Sequence, residues 1–197
     1  MFPVIPFTIY AASQVGTPGP ANMAILAMAA RYGTVQVVPF TLGVIFGKQF
    51  VIWPLGFGLL ELSTQYPLVF SAMTYVAAAY ICYLAWRVAG MSLNTDHTFA
   101  NAPGFWAGLI VHPMNPKAWA VITAGFAFVP DGMGTFVATA WVAGIVLACQ
   151  LVLQPMWAVA GDVIARTIKG TRAERILFIT LALLTVASVI YALFVGT

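Results

Sequence analysis

The feature that most constrains the fold is a succession of apolar stretches, each long enough to cross a lipid bilayer. A helix needs about 20 apolar residues to cross the hydrocarbon. Charges and turn residues divide the chain into six such stretches, roughly 2–30, 35–60, 67–88, 104–129, 135–164 and 175–194. Hydrophobic residues make up 62% of the 197 residues and charged ones 7%. About a quarter of an average soluble domain is charged, so a bilayer must solvate most of this surface. The expectation is an all-α integral membrane protein with six transmembrane helices in one transmembrane domain, 1–197. No basic stripe suggests nucleic acid. Cys82 and Cys149 lie in apolar runs without CxxC spacing and read as helix-packing residues. The apolar run at 1–12 has no Lys or Arg before it, so it reads as half of a retained helix and not as a cleaved leader.

Basic residues orient the spans. Arg31, Arg87, Arg166, Lys169, Arg172 and Arg175 fall near the loops after spans 1, 3 and 5. The other side, near Glu61, Asp131 and both termini, has no Lys or Arg. The positive-inside rule makes the basic side cytoplasmic and puts both termini outside.

Two spans carry interruptions. Span 1 contains Pro18-Gly19-Pro20, and span 4 contains Pro113 and Pro116. Each proline removes a backbone donor and clashes with the preceding turn. Backbone groups freed at membrane depth are tolerated only inside protein or beside a wet cavity. Both breaks fall in the first helix of a three-helix half, about 1–90 and 101–197. Three spans is an odd number, so the halves enter the bilayer from opposite sides. Interrupted segments at corresponding places in two inverted repeats point to a transporter's binding site. Freed amides suit a carboxylate and freed carbonyls suit an ammonium group, as on a zwitterionic amino acid.

The candidate binding and translocation residues are therefore Pro18, Gly19, Pro20, Asn22, Lys48, Asn115, Pro116 and Lys117. Lys48 is near the middle of span 2, where an unpaired ammonium costs about 2.5–3.5 kcal/mol on insertion scales. It either serves a cavity or holds the bundle together. Lys117 either snorkels or completes the second break. Asn22 and Asn115 read equally as caps and as substrate contacts. Glu61, His112 and Asp162 are candidates for proton coupling, set against solvated carboxylates at helix ends and a hydrogen-bonded structural histidine. Gln14 and Gln150 read as bonds across the bundle. Gly43 and Gly47, and Gly104 and Gly108, have the spacing of close helix packing.

The run Gly16-Thr17-Pro18-Gly19-Pro20-Ala21-Asn22, followed by Arg31-Tyr32-Gly33, Gly43 and Gly47, resembles the opening signature of the LysE/RhtB amino-acid exporter family. Asn115-Pro116-Lys117-Ala118-Trp119 is similar to its second signature, and length and motif order agree. The resemblance implies efflux of amino acids or related metabolites across the inner membrane, driven by the proton gradient, and allows for a homodimer. Two places depart from the family. Phe128-Val129-Pro130-Asp131 stands where a Pro-Gln-Phe run is usual, and Lys48 stands where a neutral or acidic residue is expected.

Other classes fit less well. HExxH, GxSxG and GxxxxGK[ST] are missing, which speaks against an enzyme or an ATP-driven pump, and no cofactor motif is present. A metal-ion exporter of similar architecture would need a cage of oxygen, His or Cys ligands, and no metal site is expected. A passive channel would not require Lys48 or paired breaks.

Overall fold

The computed structural model describes residues 1–59, 102–168 and 170–195, together with 68, 72, 75, 76, 78, 79, 82, 83, 85, 86, 89 and 90. The described residues are helical or in turns. Most of span 3, and Glu61, lie outside them.

Span 1 is two helices, α1 (Val4–Gly16) and α2 (Pro20–Tyr32). Thr17, preceding Pro18, is extended at φ −73°, ψ 146°, as the proline ring requires of its neighbour. Gly19 is extended too, and Pro20 opens α2 at the position where a missing N–H does no harm. Gly33, at φ 84°, ends α2 in a conformation that glycine adopts without strain. Span 2 is α3 (Val38–Pro54), running into an irregular π-type turn, Leu55–Leu59. Phe57 and Gly58 leave helical dihedrals there, just past Pro54.

Span 4 is also divided. Helix α4 (Phe105–Leu109) gives way to a turn, and α5 (Pro116–Phe126) starts afresh. Helix α6 (Thr135–Ile168) has 34 residues, about 51 Å at 1.5 Å per residue, well beyond the ~30 Å hydrocarbon. Pro155 sits inside α6 without ending it. Helix α7 is Arg172–Val195.

Two helical segments, Val38–Gly58 and Thr135–Ile168, are each long and apolar enough to cross a bilayer unaided. The 13 residues of α1 reach only about 20 Å, and so do those of α2. Span 1 can therefore cross only as a pair of short helices. The six spans in inverted repeats thus remain an expectation for the chain as a whole.

Helix α6 is the central post, packed against α1, α2, α3 and α7. Its inner face meets Phe7 and Ala11 of α1 and Val51 of α3 through Val142 and Val146. Ala158 meets Ile25 of α2 and Val44 of α3, and Ala165 joins Leu26 of α2 and Phe178 of α7. Large apolar side chains also point outward from α1, α3, α6 and α7, among them Ile5, Phe50, Val152, Met156 and Leu183. Outward apolar faces on this scale are suited to lipid contact.

Helices α3 and α4 touch backbone to backbone. A Cβ on Gly43 would collide with the Phe105 carbonyl, on Gly47 with the Leu109 carbonyl, and on Gly108 with the Phe40 carbonyl. Gly104, by contrast, faces open space.

Candidate functional site

The two breaks meet. Lys117, one residue into α5, extends its Nζ to the carbonyl of Pro18 and donates a 3.3 Å hydrogen bond. Gly19 lies against this amine, and a Cβ there would be 3.2 Å from Nζ. On the other side, the Tyr10 hydroxyl of α1 donates to the Val121 carbonyl of α5 at 2.8 Å.

Each break is finished by its own asparagine. Asn22, buried in α2, donates from Nδ2 to the carbonyls of Val15 at 2.7 Å and Thr17 at 2.8 Å. Those carbonyls stand where the break ends α1, so the next helical turn that would have supplied their donors is missing. Asn115 caps α5, its Oδ1 accepting from the Lys117 backbone N–H at 3.1 Å. The Trp119 indole donates to the Pro113 carbonyl at 2.9 Å. Freed polar backbone is thereby satisfied within the protein, as the bilayer demands.

Between the breaks lies a cavity of about 30 Å³. That is room for water and little else, so seating a larger molecule requires the breaks to part. Gly19 and Asn22 line it from the first break and Asn115 and Lys117 from the second, with Lys48 reaching in from α3 and Gln154 from α6. Gln14 and His112 also contribute. The lining therefore carries two lysines and, among the described residues, no Asp or Glu.

Lys48 is 5% exposed and makes no hydrogen bond or ion pair to the described residues. Both ring nitrogens of His112 are buried without a partner among the described residues. The same holds for Oε1 of Gln154 and for both side-chain polar atoms of Gln150. Leaving a buried polar group unpaired costs about 1–3 kcal/mol, and more for a charge. Such a concentration is unusual in a finished core and normal in a site awaiting its ligand.

Of the candidates read from the sequence, Gly19, Pro20, Asn22, Lys48, Asn115, Lys117 and His112 line one cavity, and Pro18 joins them through its carbonyl. Pro116 begins α5. Asp162 is elsewhere. It pairs with Arg166 one turn on, at 2.9 Å, and accepts from the Thr34 hydroxyl at 3.1 Å, tying the loop after α2 to the end of α6. Glu61 lies outside the described residues. Gln154 lines the candidate site and was not singled out by the sequence reading. Its one signal is Pro155, which follows it in an otherwise apolar run.

A helical membrane protein whose broken helices close on an unsatisfied polar cavity has the make-up of a solute translocator. The chain belongs to the LysE type translocator family, whose model matches residues 12–196. It is similar to the cysteine/O-acetylserine efflux proteins of Escherichia coli (strain K12) and Salmonella typhimurium (strain LT2), at 28% identity over 188 residues in each case. The matched region covers 91% of this chain and 92% of each relative. No solved structure matches the chain.

Proposed function

We propose that this protein is a secondary exporter of small amino acids or close analogues, working by proton antiport with alternating access at the two breaks. The observation that carries the reading is the charge of the cavity. Lys48 and Lys117 face one small space from different helices, with no carboxylate among the described lining residues. A buried cation needs a compensating anion, and an amino acid's carboxylate placed between the two amines supplies one. The substrate ammonium then falls to the carbonyls at the first break, those of Val15, Thr17 and Pro18, each with a lone pair left. The same positive lining has the wrong sign for a metal-ion path. The relatives' names add cysteine and O-acetylserine to the substrates to be tried.

The remaining parts of the proposal follow from topology. The halves 1–90 and 101–197 are inverted repeats in the inner membrane, with both termini outside and the loops after spans 1, 3 and 5 in the cytoplasm. Lys48 and His112, buried at the breaks, carry the returning proton. Any pairing of two copies into a homodimer leaves each cavity within one chain.

The test is reconstitution in vesicles with a pH-sensitive dye and a panel of amino acids that includes cysteine and O-acetylserine. Export of an amino acid with counter-movement of protons is the expected result. If a metal ion moves and no amino acid does, the proposal is wrong. Lys48→Gln, compared at equal membrane abundance, should transport at least about tenfold more slowly than the parent.

A further inference from the structure

The inner face of α6 is apolar or small for most of its length, running through Ala138, Val142, Val146, Ala158, Gly161 and Ala165. Two consecutive turns in the middle break that pattern. Gln150 and Gln154 are four residues apart, so they lie one above the other on the same face. They are 0% and 1% exposed.

Other amides in the bundle have work to do. Asn22 holds two carbonyls at the first break, Asn115 caps α5, and Gln49 donates to the Ala143 carbonyl at 3.4 Å. Among the described residues the carboxamide of Gln150 finds no partner for either atom, and Oε1 of Gln154 finds none. Gln154 also lines the cavity beside Lys48 and Asn22. Gln150 is about one turn, roughly 6 Å, further along the same helix. A carboxamide both donates and accepts, so it pairs equally with a hydroxyl, a thiol or an ester carbonyl.

We propose that Gln150 and Gln154 form a side-chain subsite, which selects amino acids bearing a short hydrogen-bonding side chain over aliphatic ones of the same size. The subsite rests on the amino-acid export reading above. The lysines and the backbone carbonyls at the breaks hold the α-carboxylate and the α-ammonium common to every substrate. The two glutamines meet the part that differs. Gln154 engages it while the substrate is between the breaks, and Gln150 takes it over as the substrate moves along α6. A serine hydroxyl or a cysteine thiol can donate to the unpaired Oε1 of either glutamine, and an acetyl ester can accept from the Nε2 of Gln150. A methyl group leaves these atoms unpaired, and a site built around buried polar groups discriminates against such a ligand.

The experiment compares export of serine with alanine, and of cysteine with 2-aminobutyrate, by the parent, Gln154→Leu and Gln150→Leu in vesicles. In Gln154→Leu the ratio of polar to aliphatic export should fall at least about tenfold. Gln150→Leu should move it in the same direction by less. The thermal midpoint of each purified variant in detergent should stay level or rise, because leucine removes a buried carboxamide that has no partner. Ratios equal to the parent's would overturn the subsite while leaving amino-acid export standing. So would a lowered midpoint with equal loss of all four substrates, which would make the glutamines structural. A parent that moves none of the four, although other amino acids are exported, also removes the subsite. A parent that moves no amino acid at all removes the export reading itself.

Discussion

The Nζ of Lys117 donates to the carbonyl of Pro18 across 3.3 Å, so the amine that opens α5 is held by the gap that separates α1 from α2. A substrate carboxylate arriving between the breaks competes for that amine. Lys117→Met keeps most of the side chain's bulk and removes the charge. Export should fall at least about tenfold, while stability drops by about 1 kcal/mol or less, because solvent reaches this bond. Parallel export and thermal-unfolding measurements check both halves of the prediction.

Asn22 is a donor to two carbonyls, and its exchange for aspartate reverses the sign of the interaction. A carboxylate has no proton to give to the Val15 and Thr17 oxygens and repels them. Asn22→Ala leaves both acceptors without the amide and should destabilise by about 1–3 kcal/mol. Asn22→Asp should be worse than Asn22→Ala. Thermal midpoints in detergent rank the variants, and an aspartate variant as stable as the parent would contradict this account of the break.

The glycines of α3 and α4 supply a matched pair. A Cβ on Gly108 meets the Phe40 backbone, whereas a Cβ on Gly104 meets nothing within 4 Å. Gly108→Ala should cost roughly 1–3 kcal/mol through overpacking against atoms that cannot rotate away. Gly104→Ala should be close to neutral. Membrane abundance and unfolding midpoint, measured side by side, provide the comparison.

Asp162 is bound to Arg166 and Thr34 and does not line the cavity. Asp162→Asn should retain export with its proton coupling, and stability should fall by less than about 1 kcal/mol, as expected for a pair in which the arginine is 75% exposed. A variant that still exports but no longer moves protons would restore Asp162 as a coupling group.

Proline made most of the site legible in advance. Pro18, Pro20, Pro113 and Pro116 announce their breaks because two prolines within four residues leave no way to continue a helix. Asn22 and Asn115 follow from the same logic, since a break in lipid needs polar groups beside it. Single prolines are less decisive. Pro155 is absorbed within the long α6, while Pro54 precedes an irregular turn. The linear sequence does not display what separates the two cases. Gln154 was hidden for a related reason. One amide in an apolar run reads the same whether it bonds to a neighbouring helix or faces a void. The spacing of Gly43 and Gly47 predicted close packing correctly, and Gly108 answers them from α4, but Gly104 has only the spacing without the contact.

The bare backbone contact between α3 and α4 also bears on how the molecule can move. Side chains between helices act as a deformable layer that lets one element slide past another. Where Gly43, Gly47 and Gly108 stand, that layer is absent, and one helix's carbonyls seat directly in the other's surface. That contact favours movement of the two helices as one unit, although they come from different halves of the sequence. A parting of the two breaks would then have to flex the turn between Leu109 and Pro116, beside the cavity.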